Sequence, residues 1–129
     1  MTLVHNQYIC ILLFVLPNGI EFSEVRSRGY QVGYFNFAWD EEKYDINLKK
    51  HKISFEEAST VFEDDDMIYK MDAGHSYREV RYKVIGMSDY PRLLMVCHCL
   101  RDGNTVRIIS ARKANKTEVQ EYVWRRLNG

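Results

Sequence analysis

Eleven side chains have types that could carry chemistry: Lys43, Lys50, His51, His75, Glu79, Arg81, His98, Arg101, Arg107, Arg112 and Lys113. Together they offer what cleavage of an RNA phosphodiester needs. A base takes the 2′-hydroxyl proton, cations stabilise the pentavalent phosphate, and an acid protonates the leaving oxygen. That scheme requires no metal. Each candidate also has a structural reading. A guanidinium keeps its proton and is costly to bury alone, so Arg107 and Arg112 either close ion pairs or face a cleft open to an anion. His51 at a helix end could cap the dipole, and His98 inside an apolar strand could be a satisfied core histidine. Glu79 and Arg81, two apart on one strand, could pair across strands. The chain has no phosphate-cradling glycine loop, nucleophile elbow, HExxH or zinc-ribbon spacing. Neither a cofactor nor a metal is expected.

The elements that must position these groups follow from the pattern. The aromatic alternation Tyr34-Phe35-Asn36-Phe37-Ala38-Trp39 predicts a strand. Asp40 then caps a helix over Glu41–His51, with acids in its first turn and Lys49-Lys50-His51 in its last. Tyr44, Leu48 and His51 share one of its faces. Ser54 and Glu57 form a capping box that opens a second helix ending near Phe62. Glu63-Asp64-Asp65-Asp66 reads as a solvated turn, since it lacks the spacing of an oxygen-ligand loop.

Four strands are expected next: Met67–Met71, Glu79–Gly86, Leu93–Leu100, and a last one from Val106. The last two are joined by a hairpin at Asp102-Gly103. In the last strand, period-two alternation puts Arg107 with Thr105 and Ile109, and Arg112 with Ile108 and Ser110. The two arginines therefore should not form one clamp. A capping box at Asn115 and Glu118 starts a final helix with Val119, Tyr122, Val123 and Leu127 on its apolar side. This order predicts an α+β domain, an antiparallel sheet of about four to five strands with two N-terminal helices and a C-terminal helix.

A chain of 129 residues is one domain by length, and 46% apolar with 28% charged residues suits a globular fold. Net charge is zero but uneven. Residues 40–72 carry eleven acids against five Lys/Arg, and residues 101–126 carry seven Lys/Arg against three acids. The basic end is either an anion-binding surface or half of an internal pairing. Three cysteines, Cys10, Cys97 and Cys99, do not make a disulfide scaffold and suit a reducing, cytoplasmic compartment. The apolar run Tyr8–Leu16 is too short to span a bilayer, so no membrane partner is expected. No Lys or Arg precedes it, which argues against a secretion signal. Residues 1–35 are read as an extension and residues 36–129 as the domain.

Several of these segments resemble the BrnT toxin family. They are Trp39-Asp40-Glu41-Glu42-Lys43, Asn47-Leu48-Lys49-Lys50-His51, Ser54-Phe55-Glu56-Glu57-Ala58, His75-Ser76 ahead of Glu79 and Arg81, and Arg107-Ile108-Ile109-Ser110-Ala111-Arg112-Lys113-Ala114. The likeness spans residues 37 to 124. It implies a RelE-like fold and a small metal-independent endoribonuclease, the translation-inhibiting toxin of a type II toxin–antitoxin pair. The implied partner is a BrnA-like antitoxin carrying a DNA-binding domain, so operator DNA is met only through that complex. Within the likeness, Arg107, Arg112, His51, His98 and Glu79 are the catalytic candidates. Lys43, Lys50, Arg81, Arg101 and Lys113 are the substrate-binding ones, with Arg101 and Lys43 expected in one groove. The alternative is a non-catalytic module that uses the same surface to bind antitoxin or its DNA complex.

Overall fold

The computed structural model describes residues 4–6, 27–32, 35–75 and 79–129. Three strands come first: β1 (Val4–Asn6), β2 (Ser27–Val32) and β3 (Phe35–Asp40). Helices α1 (Glu41–His51) and α2 (Phe55–Thr60) follow, α2 running into a 3-10 turn at Val61–Glu63. The meander β4 (Ile68–Met71), β5 (Arg81–Met87), β6 (Leu93–Arg101) and β7 (Thr105–Lys113) then leads to α3 (Lys116–Asn128). The class is α+β, with two helices ahead of the meander and one after it. The apolar run Tyr8–Leu16 and Cys10 lie outside the described residues. Among the described residues, no helix is long and apolar enough to cross a membrane.

The described strands form one sheet in the order β1-β2-β3-β7-β6-β5-β4. The expectation of an all-antiparallel sheet needs one correction. β3 and β7 run parallel, with Asn36 to Trp39 alongside Thr105 to Ile108. Parallel neighbours need a long crossover, and here both helices and three strands separate the two. Strands β3 to β7 make the expected five. β1 and β2, inside the expected extension, widen the sheet beyond β3.

The sheet has two differently covered faces. On the first, Phe37, Trp39, Val84, Val96 and Ile108 pack under Phe55, Ala58, Val61 and Phe62 of the α2 region. On the second, Ile68, Ile85 and Met95 pack against Tyr122 of α3. Gly86 marks a close approach on the first face. A Cβ there would sit 3.1 Å from the Val61 carbonyl oxygen and 3.2 Å from the Val61 Cβ. The hairpin between β6 and β7 turns through the three residues Asp102, Gly103 and Asn104, of which Asp102 (φ 35°) and Gly103 (φ 76°) hold positive dihedrals.

Local chemistry sets the helix ends. Ser54 Oγ accepts from Glu57 N at 3.0 Å, so half of the expected capping box forms. The Glu57 carboxylate instead accepts Arg92 Nε at 2.7 Å, Arg92 Nη2 at 2.6 Å and Ser88 Oγ at 2.7 Å. The box at Asn115 and Glu118 is complete. The solvated turn expected of Glu63-Asp64-Asp65-Asp66 is corrected at Asp64. Its carboxylate accepts Met87 N at 2.8 Å, Tyr122 Oη at 2.6 Å and Asp66 N at 2.9 Å, tying α3 to the sheet.

Candidate nucleic-acid interface

The ladder between β6 and β7 decides where the arginines point. Ile108 faces His98 and Ser110 faces Cys97, so Ile109 has no partner on β6. One unmatched residue is a β-bulge, and it reverses the alternation beyond it. Arg107 stands across from Cys99 and Arg112 across from Met95, and those two partners share one side of β6. Both arginines therefore project from the second face. The sequence-based expectation of opposite faces is corrected, because period-two counting fails where a residue drops out of the ladder.

Register then builds a basic surface. Arg81 on β5, Cys99 on β6, Arg107 on β7 and Ala38 on β3 form one row across four strands. The next row holds Lys83, Cys97 and Ser110. With strands about 4.8 Å apart, the Arg81 and Arg107 backbones lie about 10 Å from each other. Only small side chains stand between two long cationic ones. Lys83 was not singled out from the sequence, although its spacing of two from Arg81 signals a shared face.

The acids on this face neutralise most of the cations but not all. Arg101 Nη2 donates to Glu79 Oε1 at 2.9 Å, and both side chains remain well exposed. Lys70 pairs with Glu121 at 2.8 Å, and Lys83 Nζ stands 3.9 Å from Asp72. Arg112 closes a two-pronged pair with Glu118, Nη1 to Oε1 at 2.8 Å and Nη2 to Oε2 at 2.9 Å. Arg107, half-buried, has neither hydrogen bond nor ion pair to its side chain among the described residues.

Glu79 is held as a carboxylate. Partial burial works against ionisation, but the Cys99 thiol and the Arg101 and Arg81 guanidinium groups outweigh it and lower its pKa. A carboxylate flanked by guanidinium groups can accept a proton while those groups hold an anion.

The other candidates sit elsewhere. His98 projects from the first face and is fully buried. Its Nε2 lies 2.6 Å from Tyr69 Oη, Phe62 meets its ring edge-on, and Tyr82 stacks on it. Burial pushes its pKa down to about 4, so it is neutral at pH 7. Burial and the neighbouring Tyr82 raise the Tyr69 hydroxyl to about 12. Lys113 stands across from Leu94 on the first face, near enough to help lower the Glu57 pKa.

Lys43, Lys50 and His51 belong to α1, whose Tyr44 stacks on Trp39 of the first face at 5.8 Å. Lys43 and Lys50 are exposed and His51 is half-exposed. The groove expected to hold both Arg101 and Lys43 is therefore not formed, since the two lie on opposite layers. The His75 side chain and residues 76–78 are outside the described residues.

Asn47 escaped sequence reasoning. It faces inward from α1, while Leu48 beside it is exposed. Its amide donates to Ala111 O at 2.9 Å and Ile53 O at 3.1 Å, and accepts from Ala111 N at 3.0 Å. Those bonds satisfy β7 where β3 has ended.

The family model described as "Ribonuclease toxin, BrnT, of type II toxin-antitoxin system" matches residues 39–118. The chain is also similar to a solved structure, the crystal structure of the Brucella abortus ribonuclease toxin BrnT. Identity is 21%, the TM-score is 0.45, and the alignment covers 60% of this chain and 94% of that one. No curated protein sequence matches the chain. The matched span takes in β3 from Trp39, both early helices, the meander and the start of α3, so the chain belongs to the BrnT family of ribonuclease toxins of type II toxin–antitoxin systems.

Proposed function

We propose that this chain cleaves RNA at the second face without a metal, halting translation in the cytoplasm until a BrnA-like antitoxin binds it. Operator DNA is met only through that complex. Arg107 and Arg81 hold the scissile phosphate from either side of the Cys99 row. Arg101 and Lys83 steer the flanking backbone. Glu79 takes the proton of the 2′-hydroxyl, whose oxygen attacks the adjacent phosphorus. The bond to the 5′-oxygen breaks, that oxygen takes a proton from water, and a 2′,3′-cyclic phosphate remains. Arg112, His98, Lys43, Lys50, His51 and Lys113 take no part in this scheme.

The observation that carries the reading is Arg107: a half-buried guanidinium with no acid of its own among the described residues, in register with Arg81. A partner-free cation inside a folded surface is what a bound anion would neutralise. The test incubates purified chain with a synthetic oligoribonucleotide in excess chelator. Cleavage leaving cyclic phosphate ends is expected, slowed about 100-fold in Arg107→Ala. A folded Arg107→Ala protein that cuts at the parental rate removes Arg107 from the scheme. Cleavage abolished by the chelator removes metal independence.

A further inference from the structure

The cations of β4, β5 and β6 all lie on one side of the sheet. Lys70, Arg81, Lys83 and Arg101 project from the second face, by the register that joins them to Cys97 and Cys99. The first face of the same three strands carries no charged residue. Beyond the helices that face is apolar and open. Tyr69 is 43% exposed, Met71 60% and Leu100 47%, with Tyr82 between them.

The same corner is a sheet edge. Asp72 N donates to Arg81 O at 2.7 Å. In an antiparallel ladder of this register, Lys70 and Ile68 then also turn their backbone groups toward β5. The N–H and C=O of Tyr69 and Met71 must point the other way. β4 is the last strand of the sheet, so among the described residues those four groups meet no strand. The residues whose side chains form the apolar patch are thus the ones with outward backbone groups.

We infer that β4 is the docking edge for the antitoxin, which adds an extended apolar segment as a further strand beside Tyr69 and Met71. This rests on the toxin reading above and names where its partner binds. The outward groups allow up to four backbone hydrogen bonds. Incoming side chains opposite Tyr69 and Met71 fall on the first face and cover the patch. A polyanion does not fit this corner, because the face offers phosphate no cation. RNA on the second face and a protein strand on this edge therefore use different surfaces.

The experiment compares amide hydrogen exchange in the free chain and in its complex with the antitoxin encoded beside it. Tyr69 and Met71 amides exchange freely in the free chain and become at least tenfold slower in the complex. Those of Ile68 and Lys70 are slow in both. Met71→Lys weakens antitoxin binding at least tenfold while RNA cleavage by the free chain keeps its rate. A stable complex in which the Tyr69 and Met71 amides exchange as before overturns the inference and leaves the toxin reading intact. Failure of the neighbouring gene product to bind at all overturns both. Protection of the two amides by an oligoribonucleotide in place of the antitoxin also overturns the inference.

Discussion

Arg107 and Arg112 leave the same face of β7 although they are five positions apart, because Ile109 between them drops out of the β6 ladder. Their surroundings differ. Arg112 is matched to Glu118 by two hydrogen bonds, and Arg107 has no acid among the described residues.

That contrast separates stability from activity. Arg112→Ala should destabilise the fold by about 1–2 kcal/mol, since it strands a carboxylate that also caps α3. Arg107→Ala should leave stability within about 0.5 kcal/mol of the parent. The salt dependence of its RNA affinity should fall by about one unit in log–log slope. Urea melts and filter binding at several salt concentrations check both. Equal destabilisation by the two variants would refute the contrast.

Glu57 and Arg92 make the most enclosed ion pair among the described residues. Glu57 is buried, and that burial raises its pKa; the hydrogen bonds from Arg92 and Ser88 outweigh it, so the folded pKa ends below the ordinary value. Arg92→Ala should cost about 3 kcal/mol, because the carboxylate keeps its burial and loses its cation. At this chain length the melting temperature should fall about 3–5 °C per kcal/mol. A loss under 0.5 kcal/mol would mean the pair is solvated in solution.

His98 predicts a pH dependence of the opposite origin. Its folded pKa lies at about 4 against an ordinary 6.5, from burial. Between those values the unfolded chain binds a proton that the folded chain does not. Stability is therefore complete above about pH 7, declines as pH falls through 6.5, and loses about 2 kcal/mol by pH 5. Urea unfolding between pH 7.5 and 5 measures it. His98→Phe should flatten that stretch of the curve, and an unchanged slope in the variant would assign it to other groups.

Asn47 should tolerate nothing smaller. Asn47→Ala leaves the Ala111 N–H and two carbonyls without partners in a buried place, costing about 3 kcal/mol. Asn47→Asp should lose a comparable amount, because a carboxylate accepts but cannot donate to the two carbonyls. Thermal melts of both variants check this. A stable Asn47→Asp protein would show that the site is open to water.

Much of the frame is local and was legible in the chain. Apolar periodicity, capping residues and the Asp102-Gly103 turn depend on neighbours a few positions away, so helices and meander fall where the residues predict. The complete capping box at Asn115 and Glu118 and the helix Glu41–His51 are of this kind. What one strand does to another is not local. The bulge opposite Cys97 and His98 exists only in the pairing of β6 with β7, and it alone puts Arg107 and Arg112 on one face. The choice of Glu118 for Arg112, Arg92 for Glu57 and Ala111 for Asn47 depends on backbones brought together by packing. Side-chain type determined that these groups needed partners, because charge and hydrogen-bonding capacity belong to the residue. Tertiary structure decided which of them found one, because distance belongs to the fold.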